Sequence, residues 1–142
     1  MFPMRTAVAA VSALALAGLL AAPADAAPRQ TRAEDQVNTF FSQYRDAVLG
    51  PNPSTEPGRV RHEFLTTELN NELDAWADSH QADPVFRSQN VPNAWSVRYE
   101  GSGAGHSTVV LTEQWAAGDS TDVWYQVRLA DLVIDGLQDP PA

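Results

Sequence analysis

The apolar period of this chain changes once, and the change decides what it can fold into. Up to about residue 81 apolar side chains recur every three to four positions, the period of one helix face; from residue 94 they alternate, the period of a strand. Val37, Phe40, Phe41, Tyr44 and Val48 share one face of a first helix, predicted to start at Ala33 with Glu34 and Asp35 in its first turn and to stop at Gly50-Pro51. The proline- and glycine-rich stretch Gly50 to Gly58 is predicted to be an exposed loop. Leu65, Leu69, Leu73 and Trp76 define a second helix, with Thr66 or Thr67 as its N-cap and a shorter helical turn from Val60 to Phe64 before it.

Beyond residue 94 the alternation predicts four strands. Trp95, Val97 and Tyr99 face inward on the first, Val109, Leu111 and Trp115 on the second, and Val123, Tyr125, Val127 and Leu129 on the third. Leu132, Ile134 and Leu137 mark a short last strand, and Trp124 points the other way from Tyr125. Glycine-bearing links at Gly101 to Gly105 and Ala116 to Ser120, and a tight one at Ala130-Asp131, are short enough to join neighbouring antiparallel strands. Helices first and strands second make an α+β domain, its N-terminal helices packed on one face of a four-stranded antiparallel sheet.

The N-terminus reads differently. Arg5, an apolar run from Ala7 to Ala22, and small residues at Ala24 and Ala26 have the layout of a secretory signal peptide cleaved after Ala26. The expected organisation is therefore a leader over 1–26, a flexible lead-in over 27–32 and one α+β domain over 33–142, secreted and without stable membrane insertion after cleavage. The chain contains no cysteine, so its domain must rest on core packing rather than on disulfides. A formal net charge of −9 repels phosphate backbones and anionic headgroups, which argues against nucleic acid and membrane surfaces as partners.

The chemistry-bearing motifs are thin. GSGAG at Gly101 to Gly105 has strands on both sides and no lysine, so it reads as a hairpin rather than a phosphate cradle. His62-Glu63 opens like a zinc-protease motif, but Thr66 stands where the second histidine would be needed. Glu68, Glu72, Asp74 and Asp78 lie on the polar side of the second helix, the ordinary pattern of a solvated face. No G-x-S-x-G elbow is present, no catalytic constellation is assigned, and no cofactor or metal site is expected.

The aromatic residues are the better candidates. Tyr44 and Trp76 on helices and Trp95 and Tyr125 on strands share the inward faces. They are either a solid core or the lining of a hollow for a small apolar ligand. Should the hollow carry chemistry, Tyr44 is a candidate donor, and Asp46 and Glu113 are the carboxylates not assigned to a turn or a helix surface. The segment Asp83 to Gly101 reads as the corner between helix and sheet, with Val85 and Phe86 plugging the seam and Gln89 and Asn90 serving unpaired backbone groups.

Asp83, Pro84, Val85, Gln89, Asn90, Pro92 and Trp95, together with Phe40-Phe41 and Tyr44, the Leu65 to Leu69 run LTTEL and the Ile134 to Leu137 run IDGL, resemble small exported bacterial proteins grouped as domain of unknown function 3828. That resemblance implies a cone of the nuclear-transport-factor-2-like, cystatin-like kind, in which helices pack into a curved sheet. It carries no catalytic residues. It leaves open a non-catalytic domain that binds a small apolar ligand or an extracellular protein, an enzyme of isomerase, dehydratase or cyclase type, and a secreted inhibitor or immunity protein.

Overall fold

The first apolar face forms as its spacing requires, but its helix is longer than the spacing alone shows. In the computed structural model, which describes the backbone from Ala26 and side chains from Arg32 to Ala142, helix α1 spans Ala26–Leu49. The leader expected over residues 1–26 lies outside the described residues except for Ala26. Residues 27–32, expected as a lead-in, belong to α1. Pro28 falls within the first turn, where the backbone N–H groups have no intrahelical partner, and nothing from there to Leu49 breaks the helix. Glu34 and Asp35 are consequently not in the first turn, and the dipole argument for them lapses. Of the predicted face, Val37, Phe40, Phe41 and Tyr44 lie in the core and Val48 is partly buried against it, while Ala33 is buried as well.

The loop expected over Gly50 to Gly58 is shorter in the structure. The carbonyl of Asn52 accepts from the backbone N–H of Thr55 and of Glu56, which opens α2 (Glu56–Phe64). Pro57 fits there because a first turn again tolerates a residue without an N–H. Helix α2 buries Val60 and Phe64 and ends where Leu65 turns extended. Helix α3 (Thr67–His80) starts on Thr66, whose hydroxyl accepts from the Leu69 N–H, and closes at Gln81 in the left-handed region.

The sheet is a four-stranded antiparallel meander in the order β1 (Ala94–Gly103), β2 (His106–Gln114), β3 (Ser120–Arg128) and β4 (Ile134–Gln138). The first hairpin turns on Ala104 and Gly105, both with positive φ, which is the two-residue turn whose twist matches its strands. Register shifts fall between Tyr99 and Gly101 and between Gln126 and Val127, where bulges add twist. Helix α1 packs across β1, β2 and β3, while α3 lies beside β4. Leu65 pairs with Ile134, and the Thr66 N–H donates to the Ile134 carbonyl, so the joint between α2 and α3 is tied to the last strand. This is the expected α+β architecture. Among the described residues no helix is long and apolar enough to cross a membrane.

At the hairpin end of the sheet, His106 bridges two strands. Its Nε2 lies 2.6 Å from Asp135 Oδ2, and its Nδ1 lies 3.1 Å from the Ala104 carbonyl. Both partners can only accept when Asp135 is ionised, so the ring fits best as an imidazolium that donates from each nitrogen. The hydrogen bond to Asp135, followed by that to Ala104, raises the His106 pKa above 6.5. Stability from this pair is full below the unfolded value and is lost as pH rises through the folded one. An NMR titration of His106 is expected to give a midpoint above 6.5 in wild type and a lower one in Asp135→Asn.

Candidate functional site

The corner segment is built around one carboxylate. Pro84 drives Asp83 out of the helical region, and Asp83 Oδ1 then accepts from the N–H groups of Val85 and Phe86 at 2.8 and 2.9 Å. Its Oδ2 accepts from the Tyr44 hydroxyl at 2.8 Å, and its own N–H donates to the Ser88 carbonyl. This turn plugs Val85 and Phe86 into the core, with the Phe86 ring 5.5 Å from Phe41 and 5.2 Å from Tyr44. Gln89 serves the backbone as expected, donating to the Gln81 carbonyl. Asp83→Ala removes three acceptor contacts and leaves a buried phenol without a partner. Since each orphaned buried group costs about 1–3 kcal/mol, denaturant unfolding is expected to show a loss of about 3 kcal/mol, with Asp83→Asn losing less.

The turn also positions Arg87. Its backbone is left-handed (φ 54°), and its guanidinium is fixed by distant groups: Nη2 donates to the Leu137 carbonyl at 3.0 Å, and the Trp76 ring lies 4.4 Å beneath. Nε is 3.6 Å from Asp139, too far for a hydrogen bond. The side chain is only 8% exposed, yet Nε and Nη1 are buried without hydrogen-bond partners. Burial draws its pKa down, while Asp139, Tyr125 and Glu113 oppose that.

Glu113 sits on the helix-covered face of β2, between Trp95 on β1 and Thr121 on β3 in the ladder. It is fully buried, and neither carboxyl oxygen has a hydrogen-bond partner. Burial, reinforced by the Asp83 charge and opposed by Arg87, pushes its pKa up to about 8, so it is a neutral acid at pH 7. Tyr125, on the same face, is also fully buried, with its hydroxyl unpartnered. Its pKa lies well above 10 because of burial first and Glu113 second. Arg87, Glu113 and Tyr125 thus sense one another electrostatically while leaving five buried polar atoms without partners. Buried polar groups are normally satisfied, so such a concentration points to a ligand or solvent site.

Next to this cluster, at the end of the sheet, opens a hollow of about 500 Å³ lined by Arg87, Asn90, Asn93, Trp115, Asp119 and Thr121 among others. The Trp115 indole N–H donates to the Thr121 hydroxyl at 3.0 Å. The loop behind it closes through the Trp115 N–H on the Asp119 carbonyl and the positive φ of Gly118.

The four aromatic residues expected to line a site do not meet around one hollow. Tyr44 and Tyr125 are buried and packed ring to ring through Phe40, 5.9 Å from the first and 6.2 Å from the second. Trp95 is half-buried at the edge of this cluster, 5.2 Å from Phe41, with its indole N–H donating to Asn38 Oδ1 at 2.9 Å. Trp76 is half-exposed, stacked at 4.0 Å on His80 and covered on its other side by Arg87. Tyr125 belongs to the polar cluster through its hydroxyl, and Trp76 supports the cluster by holding Arg87. Sequence reasoning missed Arg87, whose position depends on a left-handed backbone and a carbonyl fifty residues away. Glu113 had a readable signal, an acid at an inward position of an apolar strand.

The fold and site together define an α+β domain with a polar cluster buried beneath one end of its sheet. Among solved structures, a crystal structure of a protein of unknown function from Bacteroides thetaiotaomicron VPI-5482 shares this fold, with a TM-score of 0.62 over 80% of this chain and 94% of that one, at 19% identity. No protein-family model matches the chain, and no curated protein is significantly similar to it.

Proposed function

We propose that this protein is a secreted, non-catalytic binding domain related to domain of unknown function 3828, and that it holds a small molecule at the open end of its sheet. The observation that carries the reading is the 500 Å³ hollow bordered by an anchored but incompletely hydrogen-bonded Arg87. Ligand sites are concave, largely preformed, and combine an apolar wall with a few fixed polar groups; Trp115 supplies the wall, and Arg87, Asn90, Asn93 and Thr121 supply the groups.

The test is thermal unfolding and tryptophan fluorescence of the purified protein against a panel of neutral and charged small aromatic molecules. A ligand at a hundred times its Kd stabilises by about 2.7 kcal/mol, several degrees for a domain of this size. A shift that Trp115→Ala abolishes supports the reading. Silence across the panel, with tryptophan fluorescence unchanged, counts against it.

One observation favours an enzyme of isomerase, dehydratase or cyclase type instead. Burial pushes the Glu113 pKa up to about 8, and its charge is felt by the buried Tyr125 hydroxyl, a condition that suits a general acid or base. Mass spectrometry of the bound molecule separates the two readings: a binding domain returns it unchanged, and an enzyme does not.

A further inference from the structure

We propose that the molecule taken at this site carries a carboxylate head, which docks among Arg87, Glu113 and Tyr125, and an aromatic body that lies against Trp115 in the hollow. The proposal rests on the binding reading above and adds the chemical class of the ligand.

The head group follows from which atoms lack partners. Leu137 and Asp139 occupy the Nη2 and Nε side of the guanidinium, and Nη1 lies across the fork from Nε with no acceptor. A buried cation in that condition calls for an anion, and a planar carboxylate is the anion that guanidinium geometry matches. Glu113 does not play that part, because neither of its oxygens accepts a hydrogen bond. Its neutral carboxyl at pH 7 can instead donate, as can the Tyr125 hydroxyl. Arg87 lines the hollow, while Glu113 and Tyr125 are fully buried and do not line it; a carboxylate head that enters from the hollow and reaches them offers four lone-pair sites to these three donors.

The remaining charges are already committed. Asp83, on the corner segment, accepts from three donors and faces Tyr44 of α1. Asp139 is exposed near Nε, and Asp119 lines the outer wall of the hollow. A cationic head would leave Nη1 without an acceptor, and a neutral amide offers one carbonyl oxygen in place of two carboxylate oxygens and no charge to pair with the guanidinium. The body is set by Trp115, whose N–H is bound to Thr121 and whose ring borders the hollow beside Val91.

The experiment compares phenylacetate with its neutral isostere phenylacetamide, using the full protein, isothermal calorimetry and tryptophan fluorescence. At pH 7 phenylacetate is expected to bind at least tenfold more tightly than the amide. Arg87→Met should remove that preference; because the first comparison needs no variant, a poorly folded Arg87→Met does not blunt it. Between pH 7 and pH 9.5 wild-type affinity for phenylacetate should fall at least tenfold as Glu113 ionises and repels the ligand, and Glu113→Gln should flatten that fall. Equal or tighter binding of the amide overturns the head-group assignment and leaves the hollow reading intact. No binding of either probe at millimolar concentration also overturns the assignment, and the wider panel above then decides whether the hollow reading falls with it.

Discussion

Glu113→Gln is expected to make the protein more stable at pH 8 and nearly unchanged at pH 5. A carboxyl whose folded pKa is raised holds its proton longer in the folded state than in the unfolded one. Between the ordinary value of 4.5 and the folded value of about 8, the native state therefore binds more protons, and stability falls as pH rises through that window. At about 1.4 kcal/mol per pH unit the full window is worth roughly 5 kcal/mol. Glutamine keeps the shape and cannot ionise, so it abolishes the slope. Urea unfolding of both proteins at pH 5 and pH 8 checks this: wild type should lose several kcal/mol between the two, and the variant should lose much less. A wild-type protein as stable at pH 8 as at pH 5 would mean that Glu113 finds a charge partner in solution, with Arg87 the cation that opposes its raised pKa among the described residues.

That slope matters for function because the same proton serves binding. A site that keeps Glu113 neutral presents a donor to an anion; a site that has lost the proton presents a second negative charge beside Asp83. Arg87 alone does not neutralise both, and its guanidinium makes no ion pair with Glu113. Leaving a charge buried and unpaired is expensive, which is why the acid stays protonated rather than reaching for the arginine. Stability and ligand affinity should consequently decline over neighbouring pH ranges, and Glu113→Gln should relieve both.

The architecture was legible because periodicity is a backbone property. One switch of apolar period separated helices from strands, and the inward positions Val109, Leu111, Val123, Tyr125 and Val127 are buried as alternation demands. Helix ends were less legible: Pro28 and Pro57 look like breakers in one dimension, yet both are acceptable in a first turn. The site was the least legible part. Arg87 becomes a site residue only through the Asp83 turn, the Trp76 ring and the Leu137 carbonyl, contacts that no local spacing records. Trp76 sat on the apolar stripe of α3, but near the end of that helix, where its ring is taken by His80 and Arg87 instead of the core.

Phe40→Ala decides whether the aromatic set is a core or a lining, and its expected cost is about 3–5 kcal/mol, with the fold retained at low temperature. Phe40 is fully buried at the middle of the ring cluster, 5.7 Å from Phe64, 5.9 Å from Tyr44 and 6.2 Å from Tyr125. Its removal takes away the transfer energy of a benzyl group and leaves a space that neighbours on three elements can only partly close. If these rings lined an open site, truncating one would enlarge the hollow at little cost, and denaturant unfolding would show a change near 1 kcal/mol. The tilted and edge-on ring geometries argue for the larger value, since each such contact adds about 0.5–1.5 kcal/mol beyond its buried area. A further consequence separates core from site. Phe40→Ala should lower stability yet leave phenylacetate affinity at 10 °C within about twofold, because the proposed ligand meets Trp115, Arg87, Glu113 and only the hydroxyl of Tyr125, not the ring contacts that Phe40 makes. Loss of binding in a folded Phe40→Ala protein would instead place the ligand among the rings and move the site from the end of the sheet into its centre.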